Sequence, residues 1–554
     1  KVLINQDAGN CWFLPVISVE DEGDLTMFQT IDSIEDQRLT LQRTLDARKT
    51  LIERNRLGQF ATPTLLAVDI LKYAAMLLPE SEKVSFLDPA VGTGAFFSAL
   101  SKAFPQERIA NALGFEIDPH YGKPATPLWA QSGFTIKIAD FTRESPSCRF
   151  NLLICNPPYV RHHHLPSSDK LRLQFRTHQA SGMKISGLAG LYCHFLGLAH
   201  PWMTEDGIAG WLIPSEFMEV NYGKAIKHYL LDKVTLLHIH RFDPSDVQFA
   251  DALVSSAVVW FRKAPPPKNH QVQFTFGGSL IEPKVSREIP VDILAHEPKW
   301  TRFPQASAHR QDATTVLSEF FQIKRGLVTG NNDFFILDRQ EIASRNLPME
   351  VFRPILPSPR YLLDNEIISD SGGWHLLKQS IFLLDTQLPE EEIRERFPAL
   401  FAYLQEGKTH GIHQRYICRH RTPWYSQEHR PPSPIVCTYM GRGDAKSGRP
   451  FRFILNHSIA TVANVYLAMY PKPRLAQALE GDSTLIRRIQ EVLNRISPDQ
   501  LLGQGRVYGG GLHKLEPSEL ANVNATAIAE LIPHFKERLV SNQLGLFGDP
   551  VRDR

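Results

Sequence analysis

Four short stretches of this chain carry chemically able residues to positions where a strand should end. FLDPAVGTGAFF (Phe86–Phe97) runs an apolar segment into Asp88, then through a glycine-containing turn into a helical pattern. GFEIDP (Gly114–Pro119) ends its apolar run on Glu116, 24 residues after Gly92. IADF (Ile138–Phe141) ends on Asp140, and FNLLICNPPYV (Phe150–Val160) ends on Asn156-Pro157-Pro158-Tyr159. Small residues in a strand–helix turn let a ligand approach the backbone, and the helix N-terminus offers free N–H groups. A carboxylate at the position of Glu116 can accept both hydroxyls of a ribose. One at Asp140 can accept an adenine amino group, with the next aromatic, Phe141, packed on the ring. Any one of these carboxylates also reads as a helix cap; three in series point to a nucleoside cofactor.

The fourth stretch suggests the reaction. An exocyclic amine on a heteroaromatic ring is a poor nucleophile because its lone pair is delocalised into the ring. The Asn156 side-chain oxygen and a Pro157 main-chain oxygen can accept from its two N–H bonds and stabilise the charge that develops as a methyl group is attached. The proline pair keeps the turn stiff. Tyr159 can stack on a base that has left its helix.

In this order the segments, preceded by GQFATP (Gly58–Pro63), resemble the gamma-class DNA adenine-N6 methyltransferases of type II restriction–modification systems. The resemblance covers residues 31–263 well and the later region more loosely. It implies S-adenosylmethionine as cofactor, site-specific transfer to a flipped-out adenine, and protection of DNA from a cognate restriction endonuclease. It assigns Thr62, Asp88, Ala90 and Gly92 to the methionine part of the cofactor and Glu116 to the ribose. Asp140 and Phe141 go to the adenine, with Ile117 and Pro158 also at the cofactor. Asn156, Pro157 and Tyr159 become catalytic, and Phe249 in VQFADALVSSAVVWF becomes the second aromatic that clamps the base. RNA adenine, a protein glutamine amide, and DNA binding without activity remain as alternative readings.

The elements that must hold these residues alternate. Strands are expected at Val84–Asp88, Ala112–Ile117, Phe134–Asp140, Asn151–Cys155, Ile208–Ile213, Val234–His240 and Ser255–Phe261. Helices are expected at Ile31–Asn55, Ala95–Phe104, Leu191–Met203 and from Tyr222. Such alternation argues for an α/β fold, a mostly parallel Rossmann-like sheet covered on both faces. The proline-rich APPPKNH (Ala264–His270) reads as a linker. The expected organisation is therefore an unassigned segment 1–30, a catalytic domain 31–263, the linker 264–270, and a mixed DNA target-recognition domain 271–554.

In that second domain, Lys408–Arg452 holds nine Lys or Arg against two acids, with Tyr416, Trp424, Tyr425 and Tyr439 interleaved. Basic residues mixed with aromatics suit phosphate and base contact, which nominates Arg415, Arg419, Arg421, Tyr425 and Arg442. A solvated charged loop is the bland reading. IKRGLVTGNNDFFIL (Ile323–Leu337) and GQGRVYGGGLHKLEP (Gly503–Pro517) are similar to segments of the recognition domains of that family.

At 554 residues the chain is too long for one core, and its formal net charge of +2 says nothing by itself about nucleic acid. The six cysteines have no CxxC spacing and read as reduced thiols of a cytoplasmic protein. No apolar run reaches the ~20 residues of a membrane span, and KVLINQDAGNCWFLPV lacks a signal-peptide pattern. His162-His163-His164 has no partner at ligand spacing, so no metal site is expected. EPKV (Glu282–Val285) and EPKW (Glu297–Trp300) lack the carboxylate partner a nuclease needs. Gln543-Leu544-Gly545-Leu546-Phe547 has two readings. It either pins the chain end by packing, or it docks on a replication sliding clamp through its Leu and Phe anchors.

Overall fold

The computed structural model describes residues 31–243, 246, 248, 255–304, 315–442, 449–498, 500, 501, 505–508 and 512–532. Two compact units divide the chain, Lys1–His309 and Arg310–Arg554. The strands of the first are β1 (Val84–Asp88), β2 (Ile109–Glu116), β3 (Phe134–Ile138), β4 (Phe150–Cys155), β5 (Met203–Pro214), β6 (Thr235–Arg241), β7 (Ser256–Arg262), β8 (Gln271–Gly278) and β9 (Pro283–Pro290). They form one nine-stranded sheet in the order β3-β2-β1-β4-β5-β7-β6-β8-β9. β1 to β5 run parallel, while β7 is antiparallel to both β5 and β6. The helices that concern the site are α1 (Ile31–Asp46), α2 (Leu51–Leu57), α3 (Thr64–Leu77), α4 (Ala95–Ala103) and α5 (Pro119–Trp129).

Side chains alternate across the sheet into two cores, which is why its strands read as unbroken apolar runs. Phe86, Leu152, Ile154, Leu212 and Trp260 enter one. Leu87, Leu153, Cys155, Trp211 and Val259 enter the other. The expected Rossmann-like α/β architecture is present. Its strand order reverses between β1 and β4, and ligands of such sheets bind at the carboxyl edge of that switch point.

Ala264–His270 does not separate the units. It links β7 to β8 inside one sheet, and the division falls at His309–Arg310. Val272 and Phe274 of β8 are fully buried in the first unit's core. Prolines end a strand because they cannot donate to its ladder, and that says nothing of where a core ends.

The second unit holds a five-stranded sheet ordered Phe321–Arg325, Tyr466–Pro471, Ile435–Thr438, Phe453–Asn456, Glu366–Ile367, and two three-stranded sheets. Among the described residues no helix is long and apolar enough to cross a membrane, and no group of His, Cys, Asp or Glu has metal-binding geometry.

Candidate active site

Parallel register brings the motif residues to one edge. Asp88 of β1 lies opposite Gly114 of β2, Glu116 of β2 opposite Ile138 of β3, and Leu87 of β1 opposite Leu153 of β4. Asp140, Glu116, Asp88 and Asn156 therefore follow one another along the carboxyl ends of the neighbouring strands β3, β2, β1 and β4.

The turn after β1 requires its glycines. Gly92 and Gly94 have φ of +57° and +94°, a left-handed conformation that L side chains resist. A Cβ on Gly94 would also lie 2.4 Å from Trp129 Nε1. The backbone N–H of Ala90 donates to Asp88 Oδ1 (3.1 Å), and that of Gly92 to Glu116 Oε2 (2.9 Å). Glu116 Oε1 accepts from the Asp118 N–H at 2.8 Å. Both carboxyls are buried and titrate far above the usual carboxylate range. Desolvation, helped by the Glu116 charge, raises Asp88 to about 8. Desolvation, opposed by the Asp118 and Gly92 N–H groups, raises Glu116 to about 7. Two acids held in this state suit a ligand that brings positive charge and hydroxyl donors.

GQFATP forms the opposite wall. The Asn156 Nδ2 donates to the Phe60 carbonyl (3.2 Å) and to Thr62 Oγ1 (3.1 Å). A carbonyl can only accept, so the NH₂ must face it and the amide oxygen must face away. That buried Oδ1 has no hydrogen-bond partner among the described residues. Buried acceptors are rarely left so, because the lost hydration is not recovered. Gly58, with φ +65°, lets the two segments meet: a Cβ there would lie 2.3 Å from Tyr159 N. The Tyr159 hydroxyl donates to the Leu212 carbonyl at 3.0 Å, and its half-buried ring lies 5.9 Å from that of Phe60.

The two adenine-side candidates differ in their surroundings. Phe141 is a core residue, its ring 5.5 Å from Phe115, 5.4 Å from Phe195 and 5.5 Å from Trp202, so no ligand can pack on it. The Asp140 carboxylate caps the turn after β3, accepting from the Thr142 N–H (2.9 Å) and hydroxyl (2.6 Å) and pairing with Arg143. Ile117 is 64% exposed at its strand end and is free to cover a planar group. Thr62 and Pro157 are buried, Ala90 and Pro158 half-buried. Phe249 and the tail Gln543–Phe547 lie outside the described residues.

Several positioning residues escaped the sequence reading. Gln59 Nε2 donates to Asp118 Oδ2 (2.8 Å), and Lys49 pairs with the same carboxylate. Asp118 also caps α5 by accepting from the His120 N–H. Its Asp-Pro start was a legible cap signal. Glu35 and Arg38 of α1 gave no such signal, since a charged pair at i, i+3 ordinarily marks a solvated face.

In the second unit the basic segment divides. Tyr425 is fully buried and its hydroxyl donates to the Leu388 carbonyl. Arg421 donates to the carbonyls of Val328 (2.6 Å) and Thr329 (3.0 Å) and to Gln427 Oε1 (3.0 Å). Both hold the fold and are withdrawn as nucleic-acid contacts, because residue type alone cannot tell which side of a loop a side chain takes. Arg415, Tyr416 and Arg419 stay exposed, with the Arg419 guanidinium 5.2 Å from the Tyr416 ring centroid. Arg442 is exposed beside the short strand Met440–Gly441.

The family described as Eco57I restriction-modification methylase matches residues 116–248. The C-terminal domain of type II methyltransferase M.Eco57I matches residues 303–544. The chain is similar to type II methyltransferase M.XamI of Xanthomonas campestris pv. amaranthicola, with 27% identity over 487 residues, 86% of each chain. It is also similar to type II methyltransferase M.AccI of Acinetobacter calcoaceticus, with 26% identity over 499 residues, 87% of each. Among solved structures, the type IIL restriction-modification enzyme MmeI in complex with DNA aligns at a TM-score of 0.47 and 12% identity, covering 96% of this chain and 78% of that one.

Proposed function

We infer that this chain, which belongs to the type II restriction–modification methyltransferases, transfers a methyl group from S-adenosylmethionine to the N6 amine of an adenine flipped out of double-stranded DNA. The observation that carries the reading is the Asn156 amide, turned by Phe60 and Thr62 so that a buried acceptor faces the site without a partner. An amine with two N–H bonds fits that acceptor together with the Pro157 carbonyl oxygen. As the amine nitrogen bonds to the methyl carbon, these two oxygens stabilise its growing positive charge. The proton leaves to water afterwards.

S-adenosylmethionine, when bound, supplies a methyl group already activated on a sulfonium. The residues present fit it: Asp88 and Glu116 are acceptors for cationic and hydroxyl groups, the Gly92–Gly94 turn admits a close approach, and Ile117 offers an apolar cover. The Tyr159 ring, held by its hydroxyl, serves as one face of a base clamp, with Phe249 as the other. Arg415, Tyr416, Arg419 and Arg442 then meet DNA. The same reading gives the enzyme a cognate endonuclease as counterpart; Gln543–Phe547 keeps its two readings, packing of the chain end or a peptide for a sliding clamp.

Asn156→Ala tests the assignment. Turnover should fall by on the order of 10²–10³ while calorimetric affinity for S-adenosylmethionine stays within a few-fold. Near-normal turnover would remove Asn156 from the chemistry.

A further inference from the structure

We propose that Glu35 and Arg38 of α1 are positioning residues for methyl transfer. They form a buried clasp that fixes the cofactor turn and the wall holding Asn156 in one geometry. The inference rests on the methyl-transfer reading above.

Arg38 is 1% exposed and Glu35 4%. The guanidinium grips the carboxylate with two bonds of 2.7 Å, from Nε to Oε2 and from Nη2 to Oε1. Its remaining reach goes to two places far apart in sequence. Nη1 donates to Thr93 Oγ1 at 3.2 Å, and Nη2 donates to Thr64 Oγ1 at 3.2 Å. Thr64 in turn donates to Glu35 Oε1 at 2.5 Å. Burial by itself would raise the Glu35 carboxyl; the bonds from Arg38, Ser98 and Thr64 and the Arg38 charge bring it down to about 2, so the carboxylate is ionised across the working range.

The two threonines give the clasp its meaning. Thr93 sits between Gly92 and Gly94, the two left-handed residues of the turn, and Gly92 is the donor to Glu116. Its hydroxyl also donates to Gln42 Oε1 (2.7 Å), and its carbonyl accepts from Trp129 Nε1 (2.8 Å). A turn with two flexible glycines is thus pinned at its centre from both sides. Thr64 begins α3, two residues after Thr62, which orients Asn156.

One planar fork therefore spans the cofactor side and the amine side. A buried ion pair contributes little net stability over an apolar pair, because desolvating two charges offsets their attraction. The planar guanidinium offers geometry that an ammonium cannot copy.

Arg38→Lys and Thr64→Val in the full chain test the proposal. For Arg38→Lys, hydrogen exchange of the cofactor-free enzyme should quicken in two segments, 60–65 and 90–95, and stay unchanged in β4 and β5. Its S-adenosylmethionine dissociation constant, by calorimetry, should rise roughly tenfold. Turnover at saturation should fall while KM for DNA holds. Thr64→Val, which leaves the Glu35–Arg38 pair and the Thr93 spoke in place, should lower turnover with little change in cofactor affinity. Unchanged exchange in both segments, or a lower melting temperature with normal constants, overturns the proposal. A wild-type enzyme that binds no S-adenosylmethionine would count against the function proposed above, while the exchange pattern still decides the clasp.

Discussion

Thr62 Oγ1 lies 3.1 Å from Asn156 Nδ2, and with the Phe60 carbonyl it decides which way the Asn156 amide faces. Thr62→Val keeps the shape and removes one of the two acceptors. The amide should then sample the flipped orientation, in which its NH₂ would oppose the donor hydrogens of the substrate amine. Turnover is expected to fall roughly tenfold, more than cofactor affinity changes. Steady-state kinetics at saturating cofactor measure this, and unchanged turnover would mean that Phe60 alone fixes the amide.

Gly58 and Gly133 separate backbone strain from close approach. Both have positive φ, +65° and +73°, but only a Cβ on Gly58 meets another segment, at 2.3 Å from Tyr159 N. Gly133→Ala should cost about 1–2 kcal/mol from strain alone. Gly58→Ala should cost about 2–4 kcal/mol, because the clash adds to the strain. It should also disable catalysis by moving Tyr159. Denaturant melts and turnover of both variants check the pair; equal costs would deny the close approach its importance.

The acids at the carboxyl edge predict opposite pH trends for binding and for stability. Folding raises Asp88 to about 8 and Glu116 to about 7, above the usual range of about 4. The folded free enzyme therefore holds protons that the unfolded chain has released. The stability tied to these groups is full below about pH 4 and is lost as pH rises toward 8, at up to about 1.4 kcal/mol per pH unit per group. A cationic cofactor prefers the ionised acids, so its affinity should rise between pH 6 and 8. Calorimetry and denaturant melts over that range test both trends; Glu116→Gln should flatten them.

Much of this site was legible because strand ends are legible. An apolar run that stops on Asp88, Glu116 or Asn156 gives both the element and the edge, and parallel pairing does the rest. What a residue's partner will be is not written in its type. Phe141 and Tyr425 are aromatics whose neighbours pull them into a core, and Arg421 is a cation that found three acceptors within its own unit. The Ala264–His270 prolines ended a strand within a sheet that continued. The Glu35–Arg38 pair was invisible because burial, which gives it meaning, comes from α3 and the turn of Thr93 folding over it.

The second unit offers a division of labour among its arginines. Arg415 and Arg419 are exposed, so replacing each with Ala should reduce the log–log salt slope of DNA binding by about 0.9 for every phosphate the side chain had neutralised. Arg421→Ala should leave the slope alone and destabilise the unit by about 1–3 kcal/mol, since two carbonyls are deprived of their donor. Binding isotherms at several salt concentrations decide it. A slope that moves with Arg421 and not with Arg415 or Arg419 would reverse the assignment.

The Asn156 oxygen, which has no partner among the described residues, is proposed to accept from an adenine amine. The most direct test of that role is the identity of the methylated base. The enzyme is incubated with methyl-labelled S-adenosylmethionine and double-stranded DNA, the DNA is digested to nucleosides, and the label is located by mass spectrometry. Label is expected in N6-methyldeoxyadenosine, at a rate lowered on the order of 10²–10³-fold with Asn156→Ala. Label in N4-methyl- or 5-methyldeoxycytidine, or none in DNA, would contradict that role.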